Sequence, residues 1–151
     1  LTDITGFKIE ALTDSSLEQN GPGRGDRPNF VLNEVTVTAR PAGDAGKGAK
    51  KLSMHSAAAG FSQKNWDVKG AFDGNPKTGW AIAPQFGKPH FATVQLDAAV
   101  GFDGGTTFVF TMIQNYGRTR TIGRLRLSAL TGGSTGASTT TNSKQFSHNI
   151  S

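Results

Sequence analysis

A chain of 151 residues, 35% hydrophobic and with twenty glycines, holds enough apolar material for one domain with its own core. It has no cysteine, which excludes disulfides and thiol catalysis, and no run approaching the eighteen or so apolar residues that span a membrane. The net charge of +5 is uneven, because no Asp or Glu follows Asp103 whereas Arg118, Arg120, Arg124, Arg126 and Lys144 do; a basic half attracts anionic partners, and a solvated strand face accounts for part of it.

The first residues carry no signal peptide and open directly in a strand-like pattern, as expected of an excised domain. Thr5 to Leu12 alternates, with Phe7, Ile9 and Ala11 on one face and Lys8 and Glu10 on the other, the period of a half-buried strand. Asp14 to Asn29 is a polar Gly/Pro-rich connection containing Arg24-Gly25-Asp26, a tripeptide that chance supplies readily in such turns. Val31 to Ala39 predicts a second strand, with Val35 and Val37 inward, forming a long-looped antiparallel pair with the first. Pro41 to Lys51 predicts a mobile loop without packing, and Leu52 to Ala59 a short, weakly patterned strand.

Phe61 to Lys69 is irregular and carries Trp66. The ten residues from Ala71 to Trp80 contain two turn dipeptides, Asp73-Gly74 and Asn75-Pro76. Such a turn is either a plain surface reversal ahead of a core Trp, or a convergence of Asp73, the Asn75 carbonyl and Thr78 into the hard-oxygen shell that Ca²⁺ takes. Ala83 to Pro89 is a second irregular loop, with Gln85, Phe86 and Lys88. His90 to Asp97 predicts a strand. Thr106 to Ile113, apolar and β-branched or aromatic, predicts a central strand covered on both faces. Gln114 to Thr121 is a polar loop. Ile122 to Leu130 alternates, with Leu125, Leu127 and Ala129 opposite Arg124, Arg126 and Ser128. Residues 1–130 thus form one domain of seven or eight short strands, an all-β sandwich, and 131–151 form a Gly/Ser/Thr-rich linker or tail. Trp80 is the expected core aromatic, with Phe108, Phe110, Leu125 and Leu127 as packing partners.

Nothing marks a catalyst. His55, His90 and His148 lack zinc-ligand spacing, no nucleophile elbow or phosphate loop is present, and no pair among the eleven acids stands out; the expectation is no enzyme. Sugar recognition needs an aromatic face flanked by fork-shaped donors. Trp66 supplies the first, and Asn115, Tyr116, Arg118 and Arg120 share one loop, with Gln85 and Phe86 on another. Nucleic acid would require basic residues interleaved with exposed aromatics, which only Tyr116 meets.

The segment Ala71-Phe72-Asp73-Gly74-Asn75-Pro76-Lys77-Thr78-Gly79-Trp80 resembles the A-x-D-G-N-x-x-T-x-W loop of discoidin-like domains, also called coagulation-factor C-type or galactose-binding-like domains. Leu32-Asn33-Glu34-Val35-Thr36-Val37 is similar to that family's L-x-E-I-x-V strand, here placed before the loop instead of after it, a permuted order. Ile4 to Leu12, the Gly21-Pro22-Gly23 turn, Phe30 to Val37, Phe61-Ser62-Gln63 and Thr121 to Ser128 resemble a module within large planctomycete-type cytochrome-containing proteins. The resemblance implies a distorted jelly-roll β-sandwich. It implies one structural Ca²⁺ held by Glu34, Gly70, Asp73, Asn75 and Thr78, with the Asn33 carbonyl beside it, and a core position for Trp80. It also implies a non-catalytic carbohydrate-binding module, extracytoplasmic and covalently linked to other domains. Basicity turns that expectation toward an acidic or sulfated polysaccharide, with no nucleic-acid or membrane partner. The alternative is a structural or protein-interaction spacer module in a larger protein.

Overall fold

The alternation of Phe7, Ile9 and Ala11 builds β1 (Ile4–Ala11), which buries all three. In the computed structural model, which describes residues 2–132, β1 lies between two antiparallel neighbours, β5 (His90–Val100) and β7 (Leu125–Thr131). β4 (Met54–Ala59) extends this sheet beyond β5, giving the order β4-β5-β1-β7. The second sheet has the order β3-β2-β6, from β2 (Glu34–Pro41), β3 (Lys50–Lys51) and β6 (Thr106–Ile113). The all-β sandwich is therefore present: among the described residues there are two antiparallel sheets, seven strands and two short 3₁₀ turns, at Glu18–Asn20 and Val68–Ala71.

The core between the sheets takes Phe7, Ile9 and Ile4 from β1, Val35, Val37 and Ala39 from β2, and Ala92, Val94 and Leu96 from β5. Phe108 and Phe110 of β6 pack edge-on against Phe7 across the sandwich, with centroids 5.1 and 5.0 Å away. The offset edge-to-face arrangement is the one aromatic quadrupoles prefer.

Several expectations are corrected. β1 and β2 do not pair; they lie in opposite sheets, because the long connection between them crosses the end of the sandwich. β6 is not central. Among the described residues it pairs with β2 alone, and Val109 on its outer face is 47% exposed. The stretch ending at Lys51 is not wholly unpacked, since Lys50 and Lys51 pair with Ala39 and Thr38. Trp80 is fully buried; Phe30 meets its ring edge-on at 5.0 Å, and Phe61 O accepts a 2.9 Å bond from its indole Nε1. β7 starts at Leu125, not Ile122, and runs through Thr131, so Thr131 belongs to the sheet; the rest of the expected tail, 133–151, lies outside the described residues.

The strand registers sort the connections by pole. Ala11, His90 and Leu125 align at one end of the first sheet, and Glu34 pairs with Ile113 at the same end of the second. Segments 12–33, 60–89 and 114–124 all leave from that end. Loops gathered at one end of a sandwich are free to carry function while the strands hold them in place.

Candidate functional site

The turn after the second 3₁₀ segment is built by its own polar side chains. Asp67 caps the segment by accepting from the Lys69 N–H at 2.9 Å. Asp73 Oδ1 accepts from Asn75 N at 2.8 Å, and Asn75 Oδ1 from Lys77 N at 3.0 Å, two successive Asx turns. The fold leaves no room for a side chain at Gly70, where a Cβ would stand 2.7 Å from Gly79 N. The result is a cluster of oxygens around Thr78. Its Oγ1 lies 2.7 Å from Asp73 Oδ2, 2.8 Å from the Asn75 carbonyl and 3.1 Å from the Gly70 carbonyl. A hydroxyl has one proton to give, so three acceptors crowd one donor.

Glu34 closes the cluster from β2, its Oε2 accepting from Gly74 N at 3.1 Å. Burial pushes the Glu34 carboxyl above its ordinary value; the Gly74 amide opposes this, the Asp73 charge adds to it, and Lys51 opposes it. An excess of acceptors, one carboxylate repelled by another, and hard oxygen donors throughout form a set that fits Ca²⁺. The Asn33 side chain braces the cluster: its Nδ2 donates to the Pro76 and Thr78 carbonyls at 3.2 and 3.3 Å, and its Oδ1 accepts from Asn115 N at 3.1 Å. The same buried amide thus braces the oxygen-rich turn and the 114–121 loop.

That loop forms one wall of a cavity of about 140 Å³. Trp66 and Tyr116 meet edge-on, centroids 5.6 Å apart, and both line it. Arg118 and Arg120 line it too, so four of the residues singled out in the sequence come together. The backbone is strained on both sides: Asn65 beside Trp66 has φ 67°, and Gly117, Arg118 and Thr119 have φ 95°, 54° and 55°. Left-handed non-glycine residues cost free energy and persist where surrounding structure dictates them. Here the dictating bonds are Val31 N to the Arg120 carbonyl at 3.0 Å and Arg24 N to the Thr121 carbonyl at 2.9 Å.

Sequence reasoning missed Arg27, Asn29 and Gln63, which line the cavity together with Val31 and Ala81. The Arg120 guanidinium donates to the Arg27 carbonyl, joining positions 93 residues apart; no local pattern announces such a neighbour. Among the described residues no carboxylate pairs with Arg27, Arg118 or Arg120. Arg24-Gly25-Asp26 belongs to the same wall. Gly25 is buried against the 118–119 backbone, where a Cβ would meet Thr119 Oγ1 at 2.8 Å.

Other expected site residues lie apart. Asn115 is exposed on the loop but outside the cavity lining. Gln85 lines a separate cleft with Lys88 and His90, and its carbonyl stands 2.6 Å from His90 Nε2. Phe86 packs against the core. Burial lowers the His90 pKa, which suits a neutral structural imidazole.

No protein-family model matches the chain, and no curated protein and no solved structure matches it.

Proposed function

We propose that this domain is a discoidin-like sandwich acting as a non-catalytic carbohydrate-binding module for an acidic or sulfated extracellular polysaccharide. The observation that carries the reading is the cavity in which Trp66 and Tyr116 stand beside Arg118 and Arg120. Aromatic faces take the apolar face of a sugar ring, and guanidinium forks take carboxylate or sulfate bidentately. The left-handed backbone on both loops supports a preformed site, so little ordering entropy is lost on binding.

A structural Ca²⁺ belongs to the same reading. Asp73, Glu34 and Thr78 would hold it by side chains, and Gly70 and Asn75 by carbonyls. It supplies positive charge to a turn where acceptors outnumber donors. The ion fixes loops; the chemistry of binding falls to the cavity.

The test is affinity electrophoresis and a glycan screen including sulfated algal polysaccharides, with Trp66→Ala and the Arg118→Ala/Arg120→Ala double variant alongside. The expected result is retardation of the parent by an acidic polymer, lost in both variants at unchanged melting temperature. A double variant binding like the parent moves the site elsewhere. A parent that binds no glycan leaves the spacer-module reading in its place.

A further inference from the structure

We infer that the cavity beside Trp66 recognises a sulfate ester, through groups that almost exclusively donate hydrogen bonds. The inference rests on the carbohydrate reading above and narrows it.

Much of the acceptor capacity of the lining is already engaged. The Arg27 carbonyl accepts from Asn29 N at 2.7 Å and from the Arg120 guanidinium. The Trp66 carbonyl accepts from Ala81 N at 3.3 Å, the Ala81 carbonyl from Gln63 N at 2.8 Å, and the Arg120 carbonyl from Val31 N at 3.0 Å. The Arg118 carbonyl accepts from Thr119 Oγ1 at 2.6 Å. No Asp or Glu lines the cavity. What remains open is three guanidinium groups, the Trp66 indole N–H, the Tyr116 hydroxyl and one end of Gln63.

Which end of Gln63 is open follows from its bonds. Its Oε1 accepts from Asn29 Nδ2 at 2.9 Å and from Ala83 N at 3.0 Å, while Asn29 Oδ1 accepts from Ile82 N at 3.1 Å. The Ile82 N–H thus orients Asn29, and Asn29 orients Gln63, a positioning chain that leaves the Gln63 Nε2 as the outward atom. No buried side-chain nitrogen or oxygen among the described residues lacks a partner, so this Nε2 faces open space. Gln63 is a neutral donor locked into a wall of cationic ones.

A neutral sugar hydroxyl brings a proton that needs an acceptor, and among the lining side chains only the Tyr116 oxygen accepts no bond already, Gln63 Oε1 being taken twice and Asn29 Oδ1 once. A sulfate ester brings three terminal oxygens and no proton. The donors arise from three separate segments, around residues 27, 63 and 118–120, a spread suited to a tetrahedral oxyanion more than to a planar carboxylate. Charge-assisted bonds to such a group are the strong ones.

Gln63→Glu isolates the idea. A carboxylate keeps both bonds from Asn29 and Ala83, and replaces the outward N–H₂ with an acceptor. The full chain is titrated calorimetrically, at one ionic strength, with a sulfated galactan, the same galactan chemically desulfated, and a polyuronate. The sulfated polymer should bind, with the other two weaker by at least about tenfold. Gln63→Glu should lose at least about tenfold for the sulfated polymer with its melting temperature kept. Arg27→Leu, at an exposed position, should lose binding in the same way. Full affinity in either variant overturns the inference and leaves the acidic-polysaccharide reading standing, whereas equal binding of desulfated polymer overturns the inference and the acidic part of that reading together, leaving carbohydrate binding alone. Equal binding of polyuronate overturns the sulfate assignment in favour of carboxylate. Binding to none of the three overturns both readings.

Discussion

Glu34 shows how one side chain changes its meaning with its surroundings. Without an ion it is a buried carboxylate facing the charge of Asp73, and its pKa is raised above the ordinary 4.5. A raised carboxyl pKa means the folded state holds the proton more tightly than the unfolded chain. Its contribution is therefore favourable at low pH and is lost as pH rises from about 4.5 through the raised value. A Ca²⁺ among these oxygens reverses the sign, because the cation favours the ionised form. In chelator, Glu34→Gln should leave the melting temperature unchanged or raise it at neutral pH; in millimolar Ca²⁺ the same change should lower it. Differential scanning calorimetry in the two buffers checks this, and identical effects in both would remove the ion from the proposal. Trp80 belongs at the same scale. Its burial, its edge contact with Phe30 and its bond to the Phe61 carbonyl predict that Trp80→Ala costs about 3–5 kcal/mol in denaturant titration.

At the scale of elements, β1 is tied to β7 on its outer face. Arg126 of β7 donates from Nε and Nη2 to Glu10 at 2.6 and 2.8 Å, and Lys8 stands 3.2 Å from the same carboxylate. The Arg126 bond holds the Glu10 carboxyl below its ordinary value against the opposing effect of burial, with Lys8 helping. A lowered carboxyl pKa gives stability that is present above the unfolded value of about 4.5 and lost as pH falls through the folded one. Glu10→Gln should therefore flatten the acid limb of the stability curve below about pH 4.5 and lower stability at neutral pH; an acid limb as steep as the parent's would sink the assignment. The strands themselves were legible where polar and apolar residues alternate, as in Phe7-Lys8-Ile9-Glu10. β6 was misread because its outward residues, Val109 and Thr111, are β-branched and uncharged, so an edge strand carried the composition of a central one. In the candidate site, Trp66, Tyr116, Arg118 and Arg120 were visible as chemistry in loops. Arg27 and Gln63 were not, because only the closure of three distant segments brings them there.

Over the whole molecule, Glu10 and Asp14 form ion pairs with Lys8, Arg126 and Arg124, whereas among the described residues Arg27, Arg118 and Arg120 face no carboxylate. Affinity for an acidic polymer should fall as salt rises over the range where the Debye length shrinks from about 10 Å toward 3 Å, and Trp66→Ala should weaken binding at every salt concentration, because stacking is not screened. Titration at low and high salt separates the two terms; a salt-independent affinity would remove the arginines from the account.

Ile4 pairs with Thr131 at the pole opposite the cavity. The described fold therefore begins and ends on adjacent strands of one sheet. Were the domain inserted in a longer host chain, entering at one and leaving at the other would add almost no length, and the domain would hang from that chain like a pendant, cavity outward. Tension along that host would pull Ile4 and Thr131 apart across the strands and open the β1–β7 ladder bond by bond, as a zipper opens, in place of shearing all its bonds at once. Such a domain should yield at low force in single-molecule stretching, and first along β7; shear-like resistance there would contradict the Ile4–Thr131 register.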